Sequence, residues 1–231
     1  MDFAAWMEVY LDEVGDKILR TVSTGAVRVI TADCRTGTAQ RAEYHDSDFD
    51  DLPILPVRRQ GGGEAGGSDL TIEIQFPGRK VIVKVWQVKV GHVTIYLLDT
   101  DLPENNERDR DIAHRLYGGD RVTRLEQEFV LGVGGARALA AIGHKPTVWH
   151  INEGHAAFLV LERIRGLVAE GLPLDAATEA VASNTVFTTH TPVPAGIDRF
   201  ERSVMERYFG SFASSLGIDF ETLMDLGQRA D

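Results

Sequence analysis

Trp149-His150-Ile151-Asn152-Glu153-Gly154-His155 and Val186-Phe187-Thr188-Thr189-His190-Thr191-Pro192-Val193-Pro194-Ala195-Gly196 bracket the stretch whose reading decides the fold. Each reads as a strand that runs into a polar loop marked by glycine or proline. Between them, Phe158, Leu161, Ile164, Leu167 and Val168 give Ala156 to Gly171 an apolar helical face. A further helix, capped by Asp175, runs through Ala182 and is broken by Ser183-Asn184. Strand, loop, helix and strand in this order predict an α/β fold with neighbouring parallel strands. Ligands of open α/β sheets bind beyond the carboxyl ends of such strands. Both ends carry histidine and small polar residues, so a polar small-molecule site is expected there.

Upstream, Val122, Leu125, Phe129, Val130, Val133, Ala136, Leu139 and Ala140 predict one long helix over 121–142. Gly132, Gly134 and Gly135 cost helix propensity, each about 1 kcal/mol relative to alanine. Close approach to a sheet would explain them. Gly143 stops this helix, and Thr147 to Ile151 follows as a strand. Further upstream, Leu70 to Phe76 alternates with its apolar residues at even positions. Val81 to Val90 and Val93 to Leu98 follow after the turns Pro77-Gly78 and Gly91-His92. Gaps this short predict an antiparallel β-meander. Leu97-Leu98-Asp99 reads as a strand ending in acid at a sheet-edge loop. The glycine-rich Gln60 to Ser68 leads into a strand rather than a helix, so a hairpin tip or linker is expected rather than a phosphate cradle. Pro53 and Pro56 imply an extended segment. Near the start, Phe3, Trp6, Met7, Tyr10, Leu11, Val14, Ile18 and Leu19 predict a helix over 3–22, and Val27 to Thr31 a short strand. Past the second histidine motif, 199–216 and 220–226 read as helices.

The 231 residues suffice for one large or two small domains with a substantial core. A net charge of −11, from 35 acidic and 24 basic residues, disfavours a general nucleic-acid or anionic-membrane binder. Cys34 is the only cysteine, so there is neither an internal disulfide nor a cysteine-based zinc site, which suits the cytoplasm. Met1 to Tyr10 lacks the basic cluster of a secretory signal. No apolar run reaches the ~18 residues of a membrane span.

His150, Glu153 and His155 have metal-ligand chemistry, but H-x-x-E-x-H matches neither H-E-x-x-H nor H-x-x-E-H, so no metal is expected. His150 can be a core histidine bonded to a carbonyl. His155 lies where a helix begins and can face a crevice. Asn152 and Glu153 carry polar ends suited to sugar hydroxyls, or serve as plain helix caps. In Thr188-Thr189-His190-Thr191-Pro192, Pro192 pushes Thr191 to extended geometry and leaves the His190 carbonyl able to point at a ligand. The alternative is a buried histidine pinning a loop. Tyr117-Gly118-Gly119-Asp120 presents a ring, two flexible positions and a carboxylate, or is simply a connection in which Asp120 caps the next helix. There is no nucleophile elbow, P-loop or dinucleotide fingerprint.

WHINEGHAAF at 149–158 and VFTTHTPVPAGIDRF at 186–200 resemble the α-glucan (glycogen and maltodextrin) phosphorylases, particularly their short bacterial branch. IYLLDTDLPEN at 95–105 and RLYGGDRVTRLEQEFVLGVGG at 115–135 fit the same family in the same order. The likeness covers about 44–231, whereas 1–43 form an atypical N-terminal segment, read as helical. The resemblance implies an incomplete Rossmann-like (GT-B type) domain, with parallel strands, flanking helices and the meander. It also implies phosphorolysis of α-1,4-glucans to glucose 1-phosphate, with pyridoxal phosphate acting through its phosphate group. His190 would bond the 6-hydroxyl of the reacting glucose, its carbonyl favouring positive charge at the anomeric carbon. Tyr117 to Asp120 match the gate loop, with Asp120 its acid. Asn152, Glu153 and His155 match the cleft wall, which reads Asn-Asp-Thr-His in longer relatives, and Thr191 joins the sugar contacts.

The family's cofactor lysine, phosphate-binding Arg-Lys pair and cleft glutamate belong to a C-terminal domain that this sequence does not contain. The family's upstream G-N-G-G-L-G loop is also missing. The expectation is therefore part of a phosphorylase N-terminal domain, inactive alone. Its partners would be an α-1,4-glucan, phosphate or glucose 1-phosphate, the missing C-terminal domain and a second copy in a homodimer. The alternative is a non-catalytic glucan-binding or regulatory module.

Overall fold

The computed structural model describes residues 54–59, 67–90, 93–113, 120–189 and 198–227, together with the backbone of four N-terminal strands. Those strands are β1 (Glu8–Tyr10), β2 (Lys17–Ser23), β3 (Ala26–Ala32) and β4 (Asp46–Asp48), joined as one antiparallel sheet in that order. The helix expected over 3–22 is therefore corrected. Lys17-Ile18-Leu19-Arg20-Thr21-Val22-Ser23 pairs residue for residue with Ala26 to Ala32. Ile18, Thr21 and Val22 are β-branched and fit a pleated ladder, and this pairing overrides the three-and-four spacing of the apolar residues. The strand expected at Val27 to Thr31 is present.

The meander is built as its alternation requires. β5 (Ile54–Pro56), β6 (Thr71–Phe76), β7 (Arg79–Val90) and β8 (Val93–Asp99) form an antiparallel sheet in which the long β7 is central. Lys84 pairs with both Thr71 and Asp99, and Trp86 with both Pro56 and Leu97. Hence β5 and β6 share one edge of β7 and β8 takes the other. Arg58 bridges Asp69 across the glycine-rich stretch, whose residues 60–66 lie outside the described residues. Leu70, Ile72, Ile74 and Phe76 alternate into the core and meet Val81, Val83 and Val85 from β7. Asp99 departs from the expected sheet-edge acid. It is buried, accepts from Trp86 Nε1 at 3.0 Å and from the Asp101 backbone N–H at 2.7 Å, and burial pushes it up to about 6.

α1 (Glu107–Arg110) continues as a 3₁₀ turn at Asp111–Ala113. The long helix expected over 121–142 comprises α2 (Arg121–Phe129), a π-helical turn Val130–Gly134, and α3 (Gly135–Ile142). Two of its glycines mark close approaches. A Cβ on Gly134 would lie 3.0 Å from Ile74 Cδ1 on the sheet. One on Gly132 would lie 2.8 Å from the backbone nitrogen of Leu159 and 3.1 Å from the carbonyl oxygen of Ala156. Gly143, at φ 94°, ends the helix in the left-handed conformation that glycine tolerates.

β9 (Trp149–Asn152) then leads through a 3₁₀ turn, Gly154–Ala156, into α4 (Leu159–Ala169). α5 (Leu174–Ser183) follows with Pro173, not Asp175, at its N-cap; Asp175 sits within the first turn. β10 (Thr185–Thr188) pairs parallel with β9, from Thr185 opposite Trp149 to Thr188 opposite Asn152. α6 (Arg202–Ser215) and α7 (Phe220–Asp225) complete the described chain. The described residues are thus α/β, with helices, antiparallel sheets and one parallel pair among them. Phe129 stands at the centre of the aromatic core, 5.5 Å from Phe76, 4.9 Å from Phe209 and 6.2 Å from Phe158, ring centre to ring centre. It joins the meander, α2, α6 and the start of α4 in one core.

Candidate functional site at the end of the parallel pair

Parallel pairing brings the ends of the two histidine-bearing motifs together. The Glu153 backbone N–H donates to the Thr188 carbonyl at 2.8 Å, continuing the ladder one residue past β9. Thr189 Oγ1 then donates to Glu153 Oε2 at 3.3 Å. Asn152 ends β9 half-buried, opposite Thr188. Thr189 is the residue before His190. His190, Thr191 and Tyr117 themselves lie outside the described residues.

Glu153 is a backbone outlier at φ 57°, ψ −168°, the only non-glycine with positive φ among the described residues. This conformation lies close to a region that is essentially glycine-only and costs of order 1–3 kcal/mol. Glu153 is also 4% exposed. A buried carboxylate on strained backbone at the carboxyl end of a strand is a feature of functional sites, and here it directs the chain from β9 toward His155.

His155, in the 3₁₀ turn, is half-buried and packs where α2 meets that turn. One ligand atom each from His155, Glu128 and Asp198 lie within 4.8 Å of one another. Arg124 Nη2 donates to Asp198 Oδ2 at 2.7 Å and lies 3.4 Å from Glu128 Oε1. Its Nη1 donates to Gln127 Oε1 at 2.8 Å. The trio has the donor types of a divalent-ion site, but the guanidinium already supplies the cation, so we assign no metal there. Burial, reinforced by the nearby Asp198 charge, pushes Glu128 up to about 9. Asp198 is held below the usual carboxylate range: burial opposes this, but hydrogen bonds with Arg124 and Glu128 outweigh it. Burial and then Arg124 push His155 below the ordinary histidine range, against the smaller pull of Asp198 and Glu153.

Asp120 is exposed and caps α2, its Oδ1 accepting from the Thr123 N–H at 2.8 Å and the Thr123 hydroxyl at 3.1 Å. Those two bonds hold its carboxyl below the usual range. The helix-cap reading of Asp120 is therefore present in the structure, one turn before Arg124. Asp120→Ala is expected to cost about 1 kcal/mol in urea denaturation, the usual loss for a removed cap; no loss would show that the cap is idle. His150 is not the core histidine that its strand position suggests. It is exposed, with Nε2 2.5 Å from Thr188 Oγ1 on the neighbouring strand.

Arg124, Glu128 and Asp198 are site residues that the sequence reading passed over. Their signal lay inside the quoted motifs. Arg124 and Glu128 stand four apart, on one face of the helix that Asp120 caps, and Asp198 follows His190 by eight residues.

No described lysine suits a buried cofactor linkage. Lys80 pairs with Glu73 on the exposed sheet face. Lys84 is 2.6 Å from Asp69 and lies over the Trp86 ring, while Lys89 and Lys145 are exposed. The described residues thus do not fit pyridoxal phosphate attachment.

No protein-family model matches the chain. It is 47% identical over 205 residues to the glycogen phosphorylase of Mycobacterium tuberculosis (strain CDC 1551 / Oshkosh), which covers 83% of this chain and 23% of that protein. It is 39% identical over 182 residues to the maltodextrin phosphorylase of Thermococcus litoralis, covering 79% and 21%. It is 35% identical over 178 residues to the glycogen phosphorylase of Aquifex aeolicus, covering 77% and 25%. The chain therefore spans about a quarter of the length of the curated relatives it matches. On this similarity, carried across most of its residues, the chain matches one part of the glycogen and maltodextrin phosphorylases.

Proposed function

We propose that this chain forms one wall of an α-glucan phosphorylase active site, within a GT-B, Rossmann-like N-terminal domain spanning 44–231, preceded by 1–43, whose β3 pairs with β4 of that span. The observation that carries the reading is the parallel pairing of β9 and β10, which sets Glu153 and Thr189 in contact at one sheet end. The pair has two strands, and Val186 and Phe187 are exposed at 49% and 53%. Parallel sheets are ordinarily covered on both faces, which favours a sheet that continues in a larger domain.

In this reading Asn152, Glu153 and His155 bind hydroxyls of an α-1,4-glucan, with Thr191 beside them. His190 bonds the 6-hydroxyl of the reacting glucose and turns its carbonyl toward the anomeric carbon, where positive charge develops. Tyr117 and Asp120 guard access. Phosphorolysis breaks the bond from the anomeric carbon to the glycosidic oxygen and forms one to phosphate, while the departing 4-oxygen gains a proton. We assign the phosphate site and the cofactor's proton transfer to none of the described residues, so we route no step through pyridoxal phosphate here. A cytoplasmic setting suits the single cysteine. No described helix is long and apolar enough to cross a membrane.

The test combines calorimetric titration of the chain with maltoheptaose and an assay for glucose 1-phosphate in the presence of phosphate and pyridoxal phosphate. Binding without release is expected, with affinity about tenfold weaker in His155→Ala, the loss of roughly one hydrogen bond. Unchanged affinity in that variant would remove His155 from the wall. Release of glucose 1-phosphate would overturn inactivity of the chain alone. The misfit of the described lysines to cofactor attachment also favours a second reading, a glucan-binding or regulatory module. Restored turnover on mixing with the rest of a phosphorylase would decide against that module.

A further inference from the structure

Glu126, Gln127 and Glu128 follow one another on α2, and the amide between the two acids is bonded at both ends. Gln127 is buried. Its Nε2 donates to the Ile112 carbonyl at 2.9 Å, and its Oε1 accepts from Arg124 Nη1 at 2.8 Å. The chemistry of the neighbours fixes this orientation. A carbonyl oxygen only accepts and a guanidinium only donates, so the amide must turn its NH₂ to Ile112 and its oxygen to Arg124. Ile112 is itself buried, in the 3₁₀ turn that follows α1. A buried carbonyl left without a donor costs free energy, so the amide has one correct setting.

Gln127 thus holds the guanidinium from one side. On the other, Arg124 Nη2 donates to Asp198 Oδ2 at 2.7 Å and lies 3.4 Å from Glu128 Oε1. Bonds run without a gap from Ile112 through Gln127 and Arg124 to Asp198. They join the 3₁₀ turn, α2 and the segment that precedes α6. His155 stands at the far end, one ring nitrogen within 4.8 Å of carboxylate oxygens of both Asp198 and Glu128.

We propose that Gln127 is a positioning residue for the His155 side of the site: it sets the direction of Arg124, and through Arg124 the place of Asp198 beside His155. The consequence for glucan binding rests on the wall reading; the effect on His155 does not. Position 127 requires an amide. Methionine would fill a similar volume but take the donor from Ile112 and one acceptor from Arg124. An ionised glutamate would keep the acceptor for Arg124 but set oxygen against oxygen at Ile112, and add another carboxylate beside Glu128 and Asp198. Once protonated, its carboxyl has an O–H donor and a carbonyl acceptor and repeats both bonds.

The experiment compares the whole chain as wild type, Gln127→Met and Gln127→Glu. It combines calorimetric titration with maltoheptaose and NMR of labelled histidine rings, the His155 signal being assigned by its loss in His155→Ala. Gln127→Met is expected to move the His155 signal and weaken maltoheptaose about tenfold, while His144, bonded to Tyr96, keeps its signal. Gln127→Glu should show the same loss at pH 8 and return to within about twofold of wild type at pH 5, its His155 signal returning with it. Glu128, Asp198, His155 and Glu153 also titrate around Arg124, but all are present in wild type, so each affinity is read as a ratio to wild type at the same pH. A side chain that only fills space gives no such recovery.

A His155 signal unmoved in Gln127→Met, or a Gln127→Glu deficit that is the same at pH 8 and pH 5, overturns the proposal. Should Gln127→Met fail to fold, the two pH values of Gln127→Glu decide. If wild type binds no maltoheptaose, the wall reading falls and the His155 signals alone decide for or against Gln127. If maltoheptaose binds wild type and both variants equally, the wall reading stands and the proposal is lost.

Discussion

Glu126→Ala is expected to destabilise the chain by about 3–5 kcal/mol in urea denaturation, the cost of leaving a buried charge network without one partner. Glu126 is 1% exposed and receives the Nη2 of Arg79 at 2.7 Å, the Nη2 of Arg108 at 3.3 Å and the hydroxyl of Tyr208. Arg79 also grips Asp109, its Nε lying 2.9 Å from both carboxylate oxygens. One carboxylate thus ties together the start of β7, α1, α2 and α6. Removing it takes one of two carboxylate partners from the Arg79 guanidinium and leaves the buried Tyr208 hydroxyl without its acceptor. Glu126→Gln keeps the shape and an acceptor but leaves Arg79 facing a single carboxylate, and should cost less, about 1–3 kcal/mol. Since a domain holds only about 5–15 kcal/mol in all, the alanine variant should be close to unfolded at modest urea. A loss below about 1 kcal/mol would mean that Arg79 and Asp109 carry the junction without Glu126.

Gly132→Ala should be the second damaging change, and Gly135→Ala its control. Both add one methyl to the same helical run. At Gly132 the methyl meets backbone atoms of 156–159, the nearest at 2.8 Å, which no rotamer change can relieve. The π turn and the start of α4 must separate, at a cost of about 1–3 kcal/mol or more, as for other overpacked cores. That separation would also shift the 154–156 turn bearing His155. At Gly135 nothing lies within 4 Å, and alanine should stabilise by about 0.4–1 kcal/mol through helix propensity and a less free unfolded chain. Thermal melts of the two variants should move in opposite directions. Equal shifts would show that the close packing at Gly132 is not rigid.

Period-two alternation over Leu70 to Phe76 and Val81 to Val85 was enough to read the meander, because each strand has one buried and one wet face. The parallel pair was legible for a different reason: Gly143 and Ser183-Asn184 stop the helices, and β-branched runs follow directly. β1 and β2, unlike β3, read as helix in the sequence because apolar residues at three- and four-residue spacing also occur in a ladder, where pairing with a neighbouring strand decides. Among the candidate site residues, Asn152, Glu153 and His155 could be placed at a strand end from loop chemistry alone. Arg124, Glu128 and Asp198 could not. Their contact spans 74 residues from Arg124 to Asp198, and no local pattern reports a partner that far away. The strain at Glu153 was equally hidden, since nothing in Asn-Glu-Gly-His marks the glutamate rather than the glycine as the residue with positive φ.

The wide turn at Val130–Gly134 separates two faces of one continuous helical run. Ahead of it, Arg124 and Glu128 look toward Asp198; behind it, Arg137 holds Glu162 at 2.8 Å and the Glu73 carbonyl at 2.8 Å. A π turn carries about one residue more than an α turn, and each residue rotates a helix by roughly 100°. The surplus residue acts as a phase shifter: it sets the azimuth of the face turned to Asp198 independently of the face that grips the meander. Both halves thereby reach their separate targets, and the length of this turn sets the angle between the two faces.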